Sequence, residues 1–97
     1  MLSSLKIFLD KSINKAGIQK QIEAARVCFL WEEVIREIFN EEAAKKSKAI
    51  KFRNGTLTVA VLSSVLAQEF NFKREEIKGE INKKLGGEKV NRIRFEI

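Results

Sequence analysis

The sequence predicts an α+β fold, a three-stranded sheet with helices packed on one face. Three observations carry that expectation. Two stretches with the apolar period of a helix precede an Asn54-Gly55 pair flanked by alternating residues. Two further helical stretches follow, and the chain then closes on a second alternating run. The predicted order is α-α-β-β-α-α-β.

The first helix is expected over residues 3–15, where Leu5, Leu9 and Ile13 recur four residues apart, with Leu2 and Phe8 nearby. Ala16-Gly17 is read as its end, Gly17 serving as a carboxyl-terminal cap. A longer helix follows from about residue 19 to residue 39. Its early contacts are Ile22, Ala25 and Phe29, and its later ones Leu30, Trp31, Val34, Ile35 and Ile38. The stripe rotates along the helix, so one end is expected to pack on the first helix and the other on the sheet. At this spacing Trp31 reads as a core anchor. Cys28, among Val27, Phe29 and Leu30, reads as a buried structural thiol.

Residues 41–48 form a charged connection into a first strand over residues 49–53, with Ile50 and Phe52 inward. Asn54-Gly55 supplies the two positive φ angles of a type I′ turn, so a tight hairpin is expected. In the second strand Leu57, Val59 and Val61 point one way and Thr56, Thr58 and Ala60 the other. Ser63 and Ser64 can cap the next helix, which opens at Ser64 and turns Val65, Leu66 and Phe70 inward. An interruption is expected at Phe70-Asn71-Phe72, with Asn71 capping a new helix and Glu75 and Glu76 in its first turns. That helix runs through Ile77, Ile81 and Leu85 and stops at Gly86-Gly87. Residues 90–97 alternate again, with Ile93, Phe95 and Ile97 on one face and Arg92, Arg94 and Glu96 on the other.

At 97 residues the chain can bury one modest core and no second. A single domain over residues 1–97 is expected, with an extra amino-terminal helix at about residues 1–17. No apolar run approaches the ~20 residues that cross a bilayer. The amino terminus lacks the basic-then-apolar order of a secretory leader. A cytoplasmic protein with no membrane contact is the expectation. One cysteine and no histidine leave neither a disulfide nor a plausible zinc ligand set. Carboxylate pairs one turn apart, Glu76/Glu80 and Glu33/Glu37, read as solvated helix faces interleaved with lysines. Gly86-Gly87-Glu88-Lys89 lacks the spacing of a phosphate-binding loop. The reading is a non-enzyme with no cofactor, no metal and no small-molecule substrate.

Net charge is +6, and it is uneven: residues 1–40 carry +1 and residues 41–97 carry +5. A basic second half suits a nucleic acid or another polyanion. With the strands' aliphatic faces under the helices, the open sheet face would carry Lys51, Arg53, Thr56, Thr58, Arg92 and Arg94. Such a platform grips phosphates but, having no aromatics, stacks bases poorly. The candidate nucleic-acid contacts are Lys45, Lys46, Lys48, Lys51, Arg53, Lys73, Arg74, Arg92 and Arg94.

Three segments together resemble the DciA-like family: LWEEVIREIF at 30–39, FRNGTLTVAVLSSVLAQEF at 52–70 and EINKKLGGEKVNRIRF at 80–95. The resemblance covers about residues 28–97. Members show a tryptophan helix, a "dGtLtV" hairpin, an "SSxWAQEL" helix and an "iNxxLG…v..irF" ending. This chain has Leu66 in place of the motif tryptophan, and Ile35-Arg36 where relatives often have Val-Gly. The resemblance implies a KH-like fold of type II order, α-β-β-α-α-β. It also implies a non-enzymatic, nucleoid-associated role in bacterial DNA replication, binding single- or double-stranded DNA and helping to load the DnaB-type replicative helicase. The alternative is a KH-like RNA-binding or ribosome-associated protein. The GxxG backbone clamp of nucleic-acid-binding KH domains has no counterpart at Phe70-Asn71-Phe72-Lys73.

Overall fold

A computed structural model describes residues 15–97. The described elements are α1 (Lys15–Ile38), α2 (Glu41–Lys45), β1 (Ser47–Arg53), β2 (Thr56–Val61), α3 (Ser64–Phe72), α4 (Arg74–Leu85) and β3 (Arg92–Glu96). Their order is α-α-β-β-α-α-β, and the three strands form one mixed sheet in the order β1-β2-β3. β1 runs antiparallel to β2, and β3 runs parallel to it. The α+β architecture with its KH-like order is therefore present.

The expected helix over residues 3–15 lies, Lys15 aside, outside the described residues. Its expected stop at Ala16-Gly17 is not a stop, because α1 passes through both. Gly17 does not adopt the positive φ of a cap; among the glycines only Gly55 and Gly86 do. α1 docks on the sheet through Val27, Leu30, Trp31, Val34 and Ile35. Ile22 and Phe29, expected as contacts, are 63% and 68% exposed, and Ala25 is exposed as well. Cys28 is half-buried against the core rather than enclosed by it.

Residues 41–45, read as part of a connection, form a short helix. Asn40 caps it, its Oδ1 accepting from Ala43 N at 2.7 Å. β1 consequently begins at Ser47, two residues earlier than expected. The type I′ turn is present, with φ of 52° at Asn54 and 80° at Gly55. Ser63 caps α3, its Oγ accepting from Leu66 N at 3.3 Å. Val65, expected inward, is 67% exposed; Ala67 and Phe70 are the buried residues of α3.

The break between α3 and α4 falls at Lys73. Asn71 is inside α3 and caps nothing; its Oδ1 instead accepts from Arg74 Nη2. Gly86, at φ 79°, ends α4 as expected. Gly87 N donates to Asn82 O at 3.1 Å and Gly86 N to Lys83 O at 3.2 Å, the bond pair of a Schellman motif.

The core is built around Trp31. Its ring meets Phe70 edge-on at 5.3 Å and Phe95 at 6.0 Å, and Phe39 closes on Phe70 at 5.1 Å. The buried indole nitrogen donates to Ser47 Oγ at 3.1 Å, and that hydroxyl donates to Ala43 O at 2.9 Å. One chain of hydrogen bonds thus joins α1, α2 and the first residue of β1.

Candidate nucleic-acid interface

Sheet register decides which residues share a face. On the helix side, Phe52, Leu57 and Ile93 form one row, and Ala49, Val59 and Phe95 the next. On the other side the rows are Arg53–Thr56–Arg92, Lys51–Thr58–Arg94 and Lys48–Ala60–Glu96. Each row crosses all three strands. All five cations in these rows are exposed. They form two columns, one on β1 and one on β3, roughly 10 Å apart across β2. Thr56 is half-buried and Thr58 is 4% exposed, so the track between the columns is low and neutral.

A bulge makes this arrangement possible. Ala49 pairs with Val59 and Lys51 with Thr58, which leaves Ile50 as an extra residue without a partner. Ile50 was expected inward and is 51% exposed. Strict alternation back from Lys51 would turn Lys48 toward the helices. The extra residue resets the alternation, so that Ala49 and Phe52 both face the core and Lys48 joins Lys51 and Arg53 outside.

The nine sequence candidates divide accordingly. Lys48, Lys51, Arg53, Arg92 and Arg94 are brought together on the open face. Lys45 and Lys46 sit at the end of α2, immediately before β1, where Lys46 Nζ pairs with Glu42 at 3.0 Å. That hydrogen bond and the ammonium charge hold the Glu42 carboxyl below its ordinary pKa. Lys73 is exposed at the α3–α4 junction. Arg74 belongs to the packing: its guanidinium lies 5.7 Å from the Phe95 ring centre, on a residue of the helix-side row, and bonds Asn71.

Acidic residues are partitioned as sharply. Glu96 is the only carboxylate in the outward rows, and its contact with Arg94 is long, at 3.9 Å. On the helix layer three acids of α1 meet bases from elsewhere. Glu37 and Glu33 lie 3.2 and 3.8 Å from Lys84 Nζ, and Glu23 lies 2.7 Å from Lys89 Nζ. The hydrogen bond from Lys84 to Glu37, with the charges of Glu37, Glu33 and Glu80 around it, raises the Lys84 pKa despite some desolvation. Arg36 is held between Glu32 at 2.9 Å and Glu41 at 2.6 Å. Charges on the helix layer therefore largely neutralise one another. Among the described residues, Lys48, Lys51, Arg53 and Arg92 have no ion pair, and on the helix layer Lys20, Lys45, Lys73 and Lys83 have none either.

The sequence missed this partition. Its signal, carboxylates concentrated in α1, was present at Glu23, Glu33 and Glu37, but their partners Lys84 and Lys89 lie about fifty or more residues away. Among the described residues, no three of His, Cys, Asp and Glu converge as metal ligands, and no helix is long and apolar enough to cross a membrane. A family model described as "Dna(CI) antecedent, DciA" matches residues 4–95, extending the likeness from residue 28 back to residue 4. No curated protein matches the sequence.

Proposed function

The chain belongs to the DciA family, associated with helicase loading in replication, and from that membership and the basic face we propose a DNA-binding helicase accessory protein. The open face of the sheet holds DNA through phosphate contacts, and a separate surface meets the replicative helicase. The observation that carries the DNA part is the outward rows themselves: five exposed cations on two strands facing one carboxylate. Phosphate-directed cations bind without reading bases, which suits a protein that must act on any sequence. In this reading the protein has no catalytic role of its own and acts in the cytoplasm at the nucleoid.

Binding depends on counterion release from the phosphates, so affinity should fall steeply with salt. Anisotropy of labelled single- and double-stranded oligonucleotides between about 50 and 200 mM salt tests this. A response as flat as that of a neutral control protein would remove the DNA part. For the helicase part, immobilised protein should retain the cognate replicative helicase from purified solution; failure with folded protein would remove it. An RNA-directed reading has less support, because the one-residue junction at Lys73 has no glycine-rich clamp.

A further inference from the structure

A cleft of about 570 Å³ opens where the amino-terminal part of α1, the Asn54-Gly55 turn and the return from α4 to β3 meet. It lies at the hairpin end of the sheet, and Arg53 belongs both to it and to the row Arg53–Thr56–Arg92 of the open face. Three of its side chains are cationic, Lys20, Arg53 and Lys89, against the single carboxylate of Glu23. Glu23 and Lys89 pair with each other at 2.7 Å. That leaves Lys20 and Arg53 exposed and without an ion pair among the described residues. By contrast, the cleft bordered by Lys78 and Lys83 also holds Glu75 and Glu88, and its charges cancel.

Two carboxamides complete the lining. Neither Asn54 nor Asn91 has a side-chain hydrogen bond among the described residues. The frame that carries them is fixed by the backbone: Gly55 O accepts from Asn91 N at 2.8 Å and from Arg92 N at 3.1 Å. The Asn91 side chain sits so close to the turn that a Cβ on Gly55 would stand 2.5 Å from its Nδ2.

We propose that this cleft binds a terminal phosphate, carried by the end of a DNA strand or by a free nucleotide. A phosphate monoester at pH 7 bears about 1.5–2 negative charges and three strong acceptor oxygens. The two uncommitted cations match that charge, and the two carboxamides offer N–H donors to the remaining oxygen lone pairs. An internal phosphodiester or a carboxylate brings one charge and leaves one of the cations unanswered. Phe52, half-buried, gives the cleft an apolar wall for the attached sugar. Because backbone bonds tie the turn to the return, the donors' frame is in place before the ligand arrives. The strand-end form rests on the DNA reading above; the nucleotide form does not.

The experiment compares single-stranded oligonucleotides identical except for a phosphate at the 5′ end, at the 3′ end or at neither, at one fixed salt concentration. One of the phosphorylated forms should bind about threefold or more tightly than the form without. Lys20→Gln, exposed on α1 and off the open face, should erase that gain. Lys83→Gln, charge-matched and exposed on α4, should keep it. In parallel, thymidine monophosphate and thymidine are titrated into isotope-labelled protein, with the amide resonances of Gly55 and Asn91 as the readout. Saturable shifts with the monophosphate alone support the site; without an oligonucleotide gain they assign it to free nucleotides. No gain and no shift overturn the proposal and leave DNA binding by the open face standing. Equal losses in the two variants reduce the effect to net charge and also overturn it. A parent that binds no oligonucleotide yet shifts with the monophosphate removes the DNA reading and keeps the site.

Discussion

Asn82 holds Val90 by both halves of its side-chain amide: Nδ2 donates to Val90 O at 2.9 Å, and Val90 N donates to Asn82 Oδ1 at 2.8 Å. Both residues are buried. The clamp fixes the return from α4 to the sheet, and two residues later Arg92 N donates to Gly55 O at 3.1 Å. One amide in α4 therefore sets the register in which Arg92 and Arg94 reach the open face.

Asn82→Ala leaves a buried donor and a buried acceptor at Val90 without partners, each worth about 1–3 kcal/mol. The expected loss of stability is about 2–4 kcal/mol, measured by urea unfolding. A loss below about 0.5 kcal/mol would mean that the Val90 backbone finds other partners.

Trp31 and Ser47 should be energetically coupled. Trp31→Phe removes the indole donor, Ser47→Ala removes its acceptor, and the double variant should recover about 1 kcal/mol relative to the sum of the two. Additive effects would show that the 3.1 Å contact contributes nothing beyond packing.

Gly55 holds φ at 80°, and an added Cβ would stand 2.5 Å from Asn91 Nδ2. The side chain of Asn91 can swing aside, so the backbone strain dominates. Gly55→Ala should cost about 1–2 kcal/mol, and Gly55→Ala/Asn91→Ala should recover little of it. Full recovery in the double variant would identify the clash, not the φ angle, as the cause.

Desolvation raises the Cys28 thiol pKa above its ordinary value. The thiolate is the reactive form, so at pH 8 Cys28 should react with an aromatic disulfide reagent several-fold more slowly than free cysteine. Urea should abolish the difference. Equal rates in the native protein would contradict the burial.

The parts of the fold legible in the sequence were those fixed by local chemistry. Asn54-Gly55 permits few turns, and Gly86 ends α4 because its φ suits a residue without Cβ. The parts that were not legible depend on tertiary demands. Nothing in Ala49-Ile50-Lys51 announces a bulge; it arises because Ala49 and Phe52 must both face the core. Asn71 has the chemistry of a cap, yet α3 continues past it and its amide serves Arg74 instead. Of the basic residues, Lys51, Arg53, Arg92 and Arg94 could be read from alternation, whereas Lys48 could not, because the extra residue Ile50 resets it. Arg74 could not, since its place against Phe95 joins residues from different elements.

The central claim is that DNA is held by the open sheet face and not by net charge. The measurement is the salt dependence of DNA affinity for two charge-matched variants, Lys51→Gln/Arg94→Gln on that face and Lys78→Gln/Lys83→Gln on α4. The face variant should bind more weakly, with its log–log salt slope reduced by about 1.5, while the α4 variant keeps the parent slope. Equal losses in the two variants would contradict the account.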